Sequence, residues 1–293
     1  MTQWLQLSNE QRLNTLYEVN RQTGLPLQAI EKDWWVTLAL KATFQTPYAK
    51  SLLFKGGTSL SSADLRIAIE RELSDLNVPP QAYSLTAAEI GDPDKDPQQL
   101  FLRYASLLDP ITYIQSEVQI EVSGRSLREP WRNKPVQSFI DNIYPDQPFV
   151  GASFEVPTVE PRRTFLEKAF LLHEEFLKPA EKIRSNRMSR HLYDLDVLMD
   201  TEHGITALED EELYYSIIDH RAKFNRLPGV DYGTHAKETI SFLPPDSVVH
   251  VWESDYNSMR ETMFYGNTKP FSVLMERLQQ LQERFRGSIK TTK

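Results

Sequence analysis

Six of the chain's eighteen prolines fall between positions 130 and 161, at Pro130, Pro135, Pro145, Pro148, Pro157 and Pro161. A proline inside a helix removes a backbone hydrogen bond and clashes with the turn before it, so no long helix can cross this stretch. The segment therefore divides the chain. Helical and strand signals alternate before it, and from Arg163 onward nearly every pattern is helical. The expected class is α+β, with a mixed domain over residues 1–157 and a largely helical one over 158–293. A length of 293 residues also suits two cores better than one.

In the front half, Ser8-Asn9-Glu10-Gln11 has the spacing of a capping box, and Leu13, Leu16 and Tyr17 follow at helical intervals. Gly24-Leu25-Pro26 should end that helix. A second helix is expected over Leu27–Phe44, with Ile30, Trp34, Leu38 and Ala42 on one face. Ser51–Lys55 is short, apolar and bounded by turn residues, which reads as a buried strand; Gly56-Gly57 is its turn and Thr58 starts the next helix. Asp64–Leu76 reads as a helix stopped by Pro79-Pro80, and Gly91–Pro97 as a polar loop. Strands are expected over Leu100–Tyr104 and Tyr113–Val122. In the second, Val118, Ile120 and Val122 alternate with Glu117, Gln119 and Glu121, the pattern of a strand with one open face. Behind the prolines, helices are expected over Thr164–Leu177, Arg190–Met199, Asp210–Phe224 and Phe271–Phe285.

With 41 acidic against 33 basic residues, the net charge of -8 argues against non-specific coating of nucleic acid, while leaving room for a local basic groove. There is no cysteine, which excludes disulfides, thiolate nucleophiles and cysteine-type zinc sites. No apolar run reaches the ~20 residues of a membrane span, and the first residues do not open a signal peptide; a cytoplasmic protein without membrane attachment is expected. The six histidines lack metal-site spacing, and no Gly-x-Ser-x-Gly elbow occurs.

Three stretches could carry chemistry. Gly56-Gly57-Thr58-Ser59 places an adjacent glycine pair and two hydroxyls where an apolar strand hands over to a helix. Close backbone approach and unpaired N–H groups there suit a triphosphate, although a plain tight turn would also explain the pair. It is not a P-loop, because Lys55 precedes the glycines. Next, Lys168 lies near the start of an otherwise apolar helix, where it can neutralise phosphate charge or simply face solvent. Finally, Lys178, Lys182, Arg184, Arg187 and Arg190 form a basic patch suited to nucleotide or RNA phosphates, or to a solvated loop. Asp194 and Asp196 are two apart and cannot share a helix face, so they are not read as a metal pair.

In order along the chain, Ile30-Glu31-Lys32-Asp33-Trp34-Trp35, Phe54–Leu60, Arg163–Lys168 and Ser189–Leu195 resemble the AbiEii/AbiGii-type nucleotidyltransferase toxins of abortive-infection toxin–antitoxin pairs. The resemblance spans Glu31 to about Phe285. It implies a polymerase-β-like nucleotidyltransferase core and transfer of a nucleoside monophosphate from an NTP to an acceptor, RNA of the tRNA class being expected. It further implies phage defence, a cognate antitoxin as partner, and Mg²⁺ or Mn²⁺ as cofactor. By position it makes Gly56, Gly57, Thr58 and Ser59 the phosphate cradle, Lys168 a nucleotide contact, and Lys168 and Asp194 the catalytic pair. Glu121 becomes a metal ligand, and Arg184, Arg187 and Arg190 would meet the acceptor. These roles require Lys168 and Asp194 to share a cleft with the glycine turn.

The resemblance has one departure. The family carries Asp-x-Asp on the strand after the glycine-pair helix, whereas here Leu60–Arg66 runs straight into a charged helix, and Asp75-Leu76-Asn77 is a poor substitute. Without paired carboxylates, phosphoryl transfer lacks its metal clamp. The abrupt join favours a stretch of chain missing near Ser61–Ala63. The alternative is a non-catalytic relative that keeps the fold to bind nucleotide or a partner.

Overall fold

Ser8 and Gln11 close the expected box on α1 (Asn9–Thr23): the Gln11 N–H donates to Ser8 Oγ at 3.2 Å, and the Ser8 N–H donates to Gln11 Oε1 at 3.0 Å. Gly24 ends the helix with φ 72°, a conformation that costs glycine little. The structure is a computed structural model that describes residues 2–54, 62–88, 98–109, 114–123, 129–262 and 268–287. The chain divides into two compact units, Met1–Val159 and Glu160–Lys293. Helices combined with small antiparallel sheets make the fold α+β.

In the first unit, α2 (Leu27–Gln45) buries Ile30, Trp34, Leu38 and Ala42, and adds Trp35, which stacks on Tyr104 with ring centroids 5.0 Å apart. α3 (Ser62–Asp75) packs beside it. Both helices contact a three-stranded antiparallel sheet, β1 (Tyr83–Ala87), β2 (Gln98–Tyr104) and β3 (Glu117–Val122), in that spatial order. Register sets Leu85 beside Leu102 and Leu102 beside Val118, so the apolar residues line the helix-covered face and join the core. The other face carries Ser84, Arg103 and Glu117 in one row and Thr86, Phe101 and Gln119 in the next.

A two-stranded ribbon, β4 (Trp131–Val136) with β5 (Phe154–Val159), is threaded through the proline-rich stretch. The strand expected at Ser51–Lys55 reduces to one parallel bridge between Phe54 and Thr158, because Ala49–Ser51 is a 3₁₀ turn; Lys55 lies outside the described residues. Neither strand of this ribbon was expected, and two further elements of the unit were not. β1 follows a proline pair, and α4 (Phe139–Ile143) is a short helix capped by Ser138.

The second unit is helical: α5 (Pro161–Phe176), α6 (Arg190–Leu198), α7 (Glu202–Glu209), α8 (Glu211–Phe224), α9 (Val249–Thr262) and α10 (Phe271–Phe285). Pro161 at the first position of α5 suits a helix start, where no N–H is needed. α7 and α9 were not expected. α7 contains Gly204, whose missing side chain lets it approach α6: a Cβ there would lie 2.3 Å from the Leu198 carbonyl oxygen. α6 packs against α5 and α10.

Candidate functional site

α5 buries Phe165, Leu166, Ala169, Phe170 and Leu172, which leaves Lys168 at the margin of its apolar face. α6 buries Leu192 and Leu195, so Asp194 and Asp196 leave the helix on either side of that stripe. Asp194 meets α5: Lys168 Nζ donates to its Oδ2 at 2.5 Å and lies 3.4 Å from His191 Nδ1. Asp196 points instead to α10, accepting from Arg277 and, at 2.8 Å, from Lys269. The two carboxylates therefore serve different helices, as their spacing requires. Lys168 and Asp194 are 21% and 36% exposed, so the ammonium is paired but still reachable by a ligand. An ammonium has three donors, and an arriving phosphate could take one without breaking the pair.

The basic patch is less uniform than its sequence. Glu175, almost fully buried, accepts from the Arg184 backbone N–H at 2.8 Å, from the Arg184 guanidinium at 2.6 Å and from Lys178 at 2.7 Å. Burial opposes ionisation of Glu175, but these donors outweigh it and hold its pKa below the ordinary value. Arg184 is thus committed to closing the segment after α5. Arg187 has φ 58°, and its backbone N–H donates to Asp255 Oδ1 at 2.7 Å. Arg190 is exposed in the first turn of α6.

Glu121 lies exposed on the open face of the sheet, accepting from Gln99 Nε2 at 3.1 Å and Gln119 Nε2 at 2.9 Å. Its nearest carboxylate on that face of β3 is Glu117, four residues and about 13 Å along the strand. Glu117 is itself paired with Arg103 at 2.8 Å. The first strand after the glycine-pair helix is β1, and its outward residues are Ser84 and Thr86, with Arg103 donating to Thr86 Oγ1 at 3.1 Å. Mg²⁺ is held through carboxylates together with substrate phosphates. Among the described residues this face offers separated carboxylates with a guanidinium beside the hydroxyls, a set that does not by itself fit a divalent metal. Among the described residues, no group of three or more His, Cys, Asp or Glu could hold a metal ion.

Gly56, Gly57, Thr58 and Ser59 lie outside the described residues, and with them the expected cleft around the glycine turn. The break expected at Ser61–Ala63 falls at their edge: Ser61 is outside, and from Ser62 the backbone is helical through Asp75. The Ile30–Trp35 motif proves to be scaffolding. Glu31 is buried and accepts from Ser106 Oγ at 2.5 Å and the Leu107 N–H at 2.9 Å, and Trp34 and Trp35 enter the core. Asp33 accepts from the Phe139 N–H at 2.8 Å, and burial raises its pKa to about 6.

Several charged residues escaped the sequence reading. Glu174 is buried and accepts from Arg221 Nε at 2.7 Å, while His235 Nε2 lies 3.2 Å from the same carboxylate. Arg277 and Asp200, unlike Asp196, were not singled out, and together the three tie the end of α6 to α10. Asp255 holds the turn before α6. Their signal in the sequence is faint, since each partner lies 47 or more residues away.

The second unit thus joins Lys168 and Asp194 across two packed helices, in a chain whose fold is mixed α+β. The family of the nucleotidyl transferase AbiEii toxin of type IV toxin–antitoxin systems matches residues 62–284, and the chain belongs to that family. Membership implies an antitoxin partner. No curated protein matches the chain. No helix among the described residues is long and apolar enough to cross a membrane.

Proposed function

We propose that the chain transfers a nucleoside monophosphate from an NTP to an RNA acceptor, of the tRNA class, as the toxin of its pair. In this reaction an acceptor hydroxyl oxygen attacks the α-phosphorus, the bond to the bridging oxygen breaks, and pyrophosphate leaves. The observation that carries the reading is the Lys168–Asp194 contact, formed from 26 residues apart within a chain of a nucleotidyl transferase family. Lys168 offsets charge developing on the leaving pyrophosphate, and Asp194 holds the ammonium in place. Gly56, Gly57, Thr58 and Ser59 hold the β- and γ-phosphates, and Arg187 and Arg190 meet the acceptor backbone. The three-stranded sheet with α2 and α3 on one face is what this chain keeps of a polymerase-β-like core. No step is assigned to a metal, because the described residues of the sheet face do not fit one.

Ser84 and Thr86 at the outward positions of β1 favour a second reading, in which the chain binds nucleotide or a partner without transfer. One experiment separates the two. The purified protein is incubated with each α-labelled NTP and total cellular RNA, in Mg²⁺, Mn²⁺ or EDTA. Labelled RNA that disappears in Lys168→Ala supports transfer. NTP binding without label in any condition supports the second reading, and absence of both refutes transfer and nucleotide binding together.

A further inference from the structure

α6 is only nine residues long, and its first turn lacks a cap of its own. Ser189, at the N-cap position, has helical angles (φ -62°, ψ -17°) and makes no capping hydrogen bond within the helix. The turn before it holds Arg187 at φ 58°, a left-handed conformation that costs a residue with a Cβ ~1 kcal/mol or more. Such a turn persists only where its surroundings impose it.

The imposing group is one carboxylate on α9. Asp255 Oδ1 accepts from the Arg187 N–H at 2.7 Å, and its Oδ2 accepts from the Ser189 N–H at 3.0 Å and from Ser189 Oγ at 2.5 Å. All three bonds are charge-assisted, and the anion sits where the dipole of α6 favours negative charge. Asp255 thus caps α6 from another helix.

The consequence reaches the lysine–aspartate pair. Asp194 lies about one and a half turns past Ser189, so the roll of α6 about its axis decides whether its carboxylate meets Lys168. A roll of about 20° moves a side-chain tip ~6 Å from the axis by roughly 2 Å, and displacements of ~1 Å in a reacting site cost on the order of a hundredfold. We propose that Asp255 is a positioning residue that fixes the N-terminus of α6 so that Asp194 engages Lys168. The proposal rests on the nucleotide role of Lys168 for its functional consequence, but not for its geometry.

The test has two arms. In the first, the side-chain carbons of ¹³C-labelled lysine are followed by NMR without nucleotide, with the Lys168 signal assigned by its loss in Lys168→Arg. Asp255→Asn should move that signal toward its position in Asp194→Asn. In the second arm, affinities for ATP, CTP, GTP and UTP are measured for the wild type, Asp255→Asn, Asp194→Asn and the double variant. Asp255→Asn should weaken binding about tenfold in the wild-type background and by less than twofold when Asp194 is already lost. A merely structural role would give independent, multiplying effects in that cycle. An unmoved Lys168 signal, or multiplying effects, overturns the proposal. If the wild type binds no NTP, the nucleotide role of Lys168 fails, and the first arm still decides for or against Asp255. Should Asp255→Asn not fold, Ser189→Ala removes only the hydroxyl contact and should move the Lys168 signal in the same direction by less.

Discussion

Replacing Asp33 by asparagine should stabilise the first unit at neutral pH. Asp33 sits on α2 with its carboxylate accepting from the Phe139 N–H, and burial, together with the nearby Asp141 carboxylate, raises its pKa from 3.8 to about 6. The folded protein therefore keeps a proton that the unfolded chain gives up between pH 3.8 and about 6. Across that window the unfolded state binds fewer protons, so this group's contribution to stability falls as pH rises. Above pH 6 the full cost of burying the ionised carboxylate is present. A shift of about two units corresponds to at most about 3 kcal/mol, and water reaching this half-buried group should reduce it to ~1–2 kcal/mol. An asparagine keeps an acceptor for the Phe139 N–H and carries no charge at any pH. Asp33→Asn should thus be more stable than the wild type at pH 8 and equal to it near pH 4. Urea unfolding from pH 4 to 8, followed by fluorescence of the buried Trp34 and Trp35, measures the difference. A stability difference that does not change with pH, or a loss of stability at pH 8, would refute the assignment of the raised pKa to Asp33.

Lys168→Ala should lower transfer more than a hundredfold, about 3 kcal/mol of lost transition-state stabilisation, while the melting temperature barely moves, because partly exposed ion pairs contribute ~0–1 kcal/mol. Equal transfer rates for variant and wild type would remove Lys168 from the chemistry. Arg221→Ala leaves the buried Glu174 without its guanidinium and should cost ~3–5 kcal/mol in chemical denaturation; Arg221→Met combined with Glu174→Gln should cost clearly less, and equal losses would contradict the uncompensated-charge argument. Gly204→Ala forces a Cβ against the Leu198 carbonyl and should destabilise by ~1–3 kcal/mol, read by thermal melting.

Local signals were legible wherever one stretch of chain decides its own structure. The Ser8–Gln11 box, the Gly24 stop and the apolar face Ile30, Trp34, Leu38, Ala42 each rest on contacts within a few residues, and each is found. The alternation in Glu117–Val122 likewise separated the faces of β3. Elements settled by distant partners were not legible. Ser51–Lys55 has a strand's composition, yet its only ladder partner among the described residues is Thr158, and one bridge does not make a strand. β4 and β5 carry Pro135 and Pro157, which read as loop but are tolerated in a two-stranded ribbon where fewer backbone donors are needed. α7 was hidden by Gly204, present for close helix packing rather than to end a helix.

The site divides in the same way. Lys168 and Asp194 were named from motif order, and the fold joins them because α5 and α6 pack with both residues at the margin of the shared apolar contact. The arginines at 184, 187 and 190 looked equivalent in sequence because spacing records charge and not what the charge is bound to. Arg184 answers the buried Glu175, Arg187 contributes its backbone to Asp255, and Arg190 stays exposed. The resemblance made Glu121 a metal ligand, whereas the alternation of its strand fixes only the face it lies on and says nothing of what stands beside it. Among the described residues, Glu121 on this face meets Gln99 and Gln119, and Arg103 donates to the Thr86 hydroxyl of β1. A carboxylate becomes a metal ligand through the company of other carboxylates, and that company is set by strand register across the sheet, which lies beyond the reach of any single stretch of sequence.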